Sequence, residues 1–556
     1  MKRTLRILGI AVPTALVVTA AVVLPGWLPL FPRAVQRRLT EGLLHGTLLL
    51  YVALGLAAFV GTPWFGRRTI LNLRRKQRGT RAERLFLLCL SCMFSFVALE
   101  LGAAAVHSWT HRFPTLPTHF SSKPADAYRI LVLGESSALG EPYRPWISIG
   151  QIVAWKLGEA MPGRRFATEI LAWLGDTLED QHKKLAGITE RPDAVVIYSG
   201  HNEFAARFEV NRDYSLDLEP RAALLRKLHQ ISLLSPFCRL VYELTSKNRL
   251  DTPPLMGRRQ LIEPPLCSPT EAAAILADFS ARLEAIVSYC DRIGALPILV
   301  IPPANEADYE PNRSTVAPGV DRAERRRLVA EFEEARAAEP TDPTRAQTLL
   351  RAILDRHPDF AEAHYRLGVI LEREGRIADA RAEFRRALDD DGAPIRCTEP
   401  FRDAYRRVAA RHPGCILIDG RREVAAASPT GLLDDHVIED THHPNLKGCI
   451  ALAAAVLRAL ADRRVFGSAS AAIQPPRLAD CIAHFGLDAE RLAQACDRTN
   501  VHYRRGAGYR YDPAERLEKA RRFVEAARRL RAGASIYEVG LPAFDPPESS
   551  QGASPK

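Results

Sequence analysis

Charge-free stretches punctuate the first hundred residues. Residues 7–32 and 42–66 carry no charged side chain, and residues 85–106 carry only Glu100. At about 1.5 Å per residue, each stretch is long enough to cross a hydrocarbon core of about 30 Å. The pattern therefore predicts three membrane-spanning helices within residues 1–107. The first stretch can also be read as a signal peptide, but two further spans favour a retained helix. Lys2, Arg3 and Arg6 precede the first span, and Arg33, Arg37 and Arg38 follow it. A third group lies between the second and third spans: Arg67, Arg68, Arg74, Arg75, Lys76, Arg78, Arg81 and Arg84. Placing the first and third groups inside puts everything after residue 107 outside the cytoplasm. Glu100 lies near the outer end of its span, where it reaches headgroups or water.

The pattern then changes. Residues 108–127 are rich in Pro, Ser and Thr and read as a linker. Short aliphatic or β-branched runs follow at Tyr128 to Leu133, Phe166 to Trp173, Ala194 to Tyr198, Leu296 to Ile301 and Cys415 to Ile418. Helical patterns separate them. Apolar strands alternating with helices predict a parallel sheet covered on both faces, with ligands at the strands' carboxyl ends. Residues 322–394 interrupt this rhythm with charged, alanine-rich helices. Counted from Ala361, residues Leu367, Gly368, Ala380, Phe384 and Ala387 fall where a 34-residue tetratricopeptide repeat places its packing residues, so this segment resembles one. Ala346, Leu350, Ile353 and Pro358 repeat the pattern more weakly upstream. The sheet domain is thus expected in two parts, 128–321 and 395–465. A helical region follows at 466–540, with Leu517, Phe523 and Leu530 on one face, and then a disordered tail at 541–556.

Composition adds limits. The 556 residues are 47% hydrophobic, enough for several cores, and the net charge is +11. Much of the basic excess flanks the apolar spans, and no aromatic-basic platform accompanies it. Nucleic-acid binding is therefore not expected. The ten cysteines show no zinc spacing, and the Cys89–Cys92 pair sits inside an apolar span. Disulfides are possible if the soluble part is exported, but spacing cannot pair them.

Three segments carry candidate chemistry. Leu133-Gly134-Glu135-Ser136-Ser137 ends the first strand, so Ser136 is expected at the top of the sheet. Tyr198-Ser199-Gly200-His201-Asn202-Glu203-Phe204 ends the third, where the Asn202 amide can donate to an oxyanion and Gly200 permits close backbone approach. Asp440-Thr441-His442-His443-Pro444-Asn445 places an Asp and a His three apart, close enough for the carboxylate to orient the imidazole in a tight turn. Pro444 suits a loop-to-helix junction. A metal site at Asp440, His442 and His443 is the competing reading, but no further ligand cluster is evident.

In this order the segments resemble the SGNH/GDSL hydrolases, over roughly residues 128–465. The Gly-Glu-Ser-Ser and Gly-His-Asn-Glu-Phe strings resemble a membrane-anchored bacterial subgroup that combines the fold with tetratricopeptide repeats. The resemblance implies a flavodoxin-like α/β sheet with Ser136 as nucleophile, His443 as base and Asp440 orienting it. Ser136, Gly175 and Asn202 would form the oxyanion hole, supported by Gly134 and Gly200. Two departures are Glu135, where the family has Asp, and an ill-defined second block that makes Gly175 the weakest assignment. No cofactor or metal is implied. The expected activity is ester hydrolysis or O-acyl transfer on an acylated glycan, lipid or small ester, by a multi-pass bacterial inner-membrane protein whose catalytic domain is extracytoplasmic. The bilayer would be one partner, and the repeats would recruit a protein partner or shape the substrate entrance. A catalytically silent scaffold with the same fold is the alternative.

Overall fold

The computed structural model describes residues 53, 55–75, 80–110, 112–122, 124, 126–204, 235–240, 260–267 and 269–544. The chain divides into two compact units, one of residues 1–112 with 217–253, the other of residues 113–216 with 254–556.

In the first unit, a short π-helical turn at Ala57–Gly61 leads into helix α1, Thr62–Arg74, and α2 spans Arg81–Thr110. Among the described residues one helix, not three, is long and apolar enough to cross a membrane: Arg81–Val106, with mean hydropathy 2.1. The expected span at 7–32 lies outside the described residues. The one expected at 42–66 is described only at residue 53 and from residue 55. Its described end continues into α1, whose 13 residues reach only about 20 Å and include Arg67, Arg68 and Arg74. This finding overturns the multi-pass assignment. The inner-membrane orientation and extracytoplasmic placement fall with it, because they rested on counting charges across three spans. Glu100 is not simply directed to water, since it accepts a hydrogen bond from Ser235 Oγ at 2.5 Å.

The second unit is built on a five-stranded, wholly parallel sheet: β1 Ala127–Gly134, β2 Arg165–Ala172, β3 Ala194–Tyr198, β4 Leu296–Ile301 and β5 Ile416–Asp419. The order is β2-β1-β3-β4-β5, the flavodoxin-like arrangement, which reverses direction between β1 and β3. The central strands read as unbroken apolar runs because both faces are covered. Ile130, Val132, Val196 and Ile298 pack on one face with α3, Ile149–Ala160, and with a helix at Leu446–Asp462. Leu131, Val195, Ile197 and Leu299 pack on the other with helices at Pro269–Ile293 and Glu399–Arg411. The expected linker is partly fastened to this second face: Tyr289 donates to the Pro117 carbonyl at 2.8 Å, and Arg282 lies over the Phe113 ring.

Four helices fill residues 322–389: α4 Arg322–Ala338, α5 Pro343–Arg356, α6 Ala361–Arg373 and α7 Ile377–Asp389. They share a core of Leu328, Phe332, Leu350, Phe360, Leu367 and Phe384. After the sheet come α8 Ala489–Ala507 and α9 Ala514–Arg531. Phe523 stacks on Tyr503 and joins the sheet's own core. The repeats meet the turn between these last helices through Arg510, which pairs with Glu362 at 2.9 Å. Helix α9 meets the segment before the repeats through Arg516, which pairs with Glu310 at 3.2 Å and donates to Asn312 at 2.7 Å. The side chains of Arg510, Arg516, Glu310 and Glu362 are at most 3% exposed. Of the expected tail, Leu541, Ala543 and Phe544 are buried in the sheet's core, and residues from 545 lie outside the described part. Among the described residues no cysteine is joined in a disulfide.

Candidate active site

The site lies where β1 and β3 end, at the sheet's reversal point. Gly134 closes β1 where no side chain fits, since a Cβ there would sit 2.2 Å from Ala138 Cβ and 2.6 Å from the Tyr198 carbonyl. This close approach of β1 to β3 puts Glu135 and Ser136 over the sheet. Glu135 is fully buried, and its Oε1 accepts from Ser199 Oγ at 2.9 Å, from the His201 N–H at 3.0 Å and from the Gly200 N–H. Burial pushes its carboxyl up to about 7, against the lowering effect of those donors. The glutamate that departs from Gly-Asp-Ser thus pins the β3 loop to the β1 turn. Gly200 takes φ +130°, a backbone conformation suited to glycine.

The histidine segment is a tight turn. The Glu439 N–H donates to the His443 carbonyl at 2.7 Å, and the Asn445 N–H to the Val437 carbonyl at 3.2 Å. Asn445 then caps the helix at Leu446–Asp462 by accepting from the Gly448 N–H at 3.1 Å. Within the turn, Asp440 Oδ1 accepts from the His442 and His443 N–H groups, each at 3.1 Å, and Oδ2 lies 2.7 Å from His443 Nδ1. His443 Nε2 lies 2.8 Å from Ser136 Oγ. Burial raises the Asp440 carboxyl, but the His443 charge and hydrogen bond outweigh it and hold the acid well below its ordinary range. Burial lowers His443, yet Asp440, with help from Glu141, leaves it above the ordinary imidazole value.

His442 is turned away. Its Nδ1 meets Thr441 Oγ1 at 2.7 Å, its ring stacks on His201 at 4.4 Å, and burial lowers its pKa. Its carbonyl accepts from Ser137 Oγ at 3.0 Å, which ties the two loops together. Asn202 Nδ2 donates to the Asp176 carbonyl at 3.2 Å, leaving its second N–H for another acceptor. Gly175, beside Asp176, is exposed in a turn at φ +78°. A cavity of about 330 Å³ lies elsewhere: Phe204, Leu266, Leu276 and Phe401 line it, and none of Ser136, Asp440 or His443 does.

Two residues escaped the sequence analysis. His502, on α8, has its ring centroid 4.7 Å from that of His443, and its Nε2 is 3.2 Å from Glu141 Oε1. Glu141 also holds Arg144 Nε, at 2.5 Å. Burial raises the Glu141 carboxyl, but these partners together with His443 bring it down to about 2. No local signal links two residues so far apart in sequence. Asp440, His443 and His502 present ligand atoms within 4.8 Å of one another and are the residues able to hold a metal ion here.

The comparisons with known proteins are few. The family model for the tetratricopeptide repeat matches residues 330–394. A comparison with curated proteins finds no match. One similar solved structure is a gut microbial diltiazem-metabolizing enzyme, at 11% identity and TM-score 0.21 over 62% of this chain and 49% of that one. The chain thus spans about half the length of that protein.

Proposed function

We propose that this chain is a serine esterase or O-acyltransferase of the SGNH/GDSL type, acting through an acyl-enzyme on an ester of a glycan, a lipid or a small alcohol. The observation that carries the reading is the continuous path from Ser136 Oγ through His443 to Asp440, at 2.8 and 2.7 Å. A hydroxyl at neutral pH is a weak nucleophile until an adjacent base takes its proton. His443 Nε2 is placed for that step, and Asp440 fixes the tautomer and stabilises the imidazolium that forms. The acyl carbonyl then gains negative charge, which the Ser136 N–H, the remaining Asn202 N–H and the Gly175 amide would share. Loss of one such donor costs about 3 kcal/mol. The proton on His443 passes to the leaving alcohol. Water or a second alcohol then repeats the sequence on the acyl-enzyme.

A fluorophosphonate probe tests this directly. The expected result is labelling of the wild-type chain that disappears in Ser136→Ala. Absence of Ser136-dependent labelling would leave a silent scaffold as the better description. A second reading, metal-assisted hydrolysis, is favoured by the Asp440–His443–His502 cluster. It requires His443 to release Ser136 or Asp440. Turnover that survives exhaustive chelation unchanged removes it.

A further inference from the structure

His502 is more accessible than its neighbours His443 and Asp440 beside the candidate nucleophile. Its side chain is 19% exposed, against 4% for His443 and 2% for Asp440. It is also firmly held. One turn earlier on α8, Arg498 donates to the Pro142 carbonyl at 2.8 Å, and Thr499 and Tyr503 are buried beside it. The helix therefore grips the loop that carries Glu141. The ring of His502 lies at 47° to that of His443, and a nitrogen of each lies within 4.8 Å of the other and of Asp440.

The charges choose the tautomer. Glu141 faces Nε2, so the proton belongs there, donated to the carboxylate. With Nε2–H donated to Glu141, the lone pair of the neutral imidazole lies on Nδ1. Among the described residues Nδ1 has no hydrogen-bond partner.

We propose that His502, oriented by Glu141, is a water-positioning residue that biases the site toward hydrolysis over acyl transfer; this rests on the acyl-enzyme reading above. One hydrogen of the incoming water points to His443 Nε2 and the other to His502 Nδ1. The water oxygen bonds to the acyl carbon as its first proton moves to His443. The tetrahedral intermediate collapses, the carbon–Oγ bond to Ser136 breaks, and the proton on His443 returns to Oγ. The acid leaves with the second hydrogen still on its oxygen. An alcohol has a single O–H, which His443 claims, and presents an alkyl group to the Nδ1 lone pair.

The test uses the full chain with p-nitrophenyl acetate in the presence of glycerol, and measures acetate against glyceryl acetate. His502→Leu should lower acetate formation about 10- to 100-fold and raise the ratio of transfer to hydrolysis about 10-fold. His502→Gln keeps an N–H for Glu141 and a carbonyl for water, so its ratio should stay near that of the wild type; it also serves if the leucine variant fails to fold. An unchanged ratio in His502→Leu, a Gln variant that matches Leu, or parallel loss of fluorophosphonate labelling and of both products would overturn the proposal. If the wild-type chain itself shows no Ser136-dependent labelling, the acyl-enzyme reading fails first and takes this inference with it. A labelled wild type with an unchanged ratio removes this inference alone.

Discussion

The two sides of the Ser136–His443 hydrogen bond are built differently. The serine side is local: Gly134 ends a strand, Ser136 follows, and Glu135 ties the turn to the neighbouring strand's loop. The histidine side is braced from afar. Thr441 and Leu433 in and before its turn accept from Asn305, Glu306 and Ala307, at 2.8–3.0 Å. The segment that begins there is held by Tyr365 of the repeats, which donates to the Ala307 carbonyl at 2.9 Å, and by Arg396, which reaches the Asn305 and Tyr309 carbonyls, each at 2.8 Å. Farther along it come Glu310 and Asn312, gripped by Arg516. Lys519 closes the brace on Asp435 at 2.7 Å. The proposed nucleophile is positioned by one turn, whereas the proposed base is held by three regions of the chain.

The contrast can be sharpened first at the reacting groups. Ser136→Ala and His443→Ala should each lower kcat about 10⁶-fold, and Asp440→Asn about 10⁴-fold. Steady-state turnover of a small ester measures this, and thermal melts should show the Ser136 variant folded. His442→Ala matching His443→Ala in a folded protein would mean that the wrong imidazole has been assigned.

The brace itself is the next target. Arg516→Ala leaves the buried Glu310 with Arg510 alone, at 3.6 Å, and should cost about 3 kcal/mol, read by urea denaturation. Replacement of residues 322–392 by a Gly/Ser linker removes Glu362 and Tyr365 together, and should abolish small-ester turnover rather than spare it. Turnover retained in that variant would break the comparison, because the histidine side would then stand without its distant support.

On the serine side, Glu135→Ala should cost about 3 kcal/mol, since two backbone N–H groups and the Ser199 hydroxyl lose one buried acceptor. The loss should appear in stability and in activity alike. A variant as stable as wild type would mean that the β3 loop does not depend on this glutamate.

The smallest effect is in pH dependence. In the proposed mechanism His443 takes the Ser136 proton only when unprotonated, and its pKa lies above the ordinary 6.5 because Asp440 and Glu141 outweigh burial. kcat/KM should therefore fall as pH is lowered through a value above 6.5, and Glu141→Gln should move that midpoint downward. A wild-type midpoint below 6.5 in a pH–rate profile would count against this electrostatic account.

Much of this was legible in the sequence. The five strands were recognisable because a parallel sheet buried on both faces demands unbroken apolar runs, and each observed strand starts or ends within a residue or so of its pattern. Gly134, Ser136, Asp440 and His443 were legible because tight turns and a three-residue Asp–His spacing are local matters of backbone geometry. The repeat pattern was local too, and residues 330–394 match its family model. The second apolar stretch misled, since hydropathy does not register where a helix carries on into arginines, and the described helix α1 does so. Only the tertiary structure decided what Glu135 holds, and that Arg510 joins the repeats to the turn between the last helices. It alone brought Glu141 and His502 together, across 361 residues. Local sequence encodes turns and periodicities through short-range sterics and burial. Pairings between distant polar groups depend on where whole elements dock, and no window along the chain contains that information.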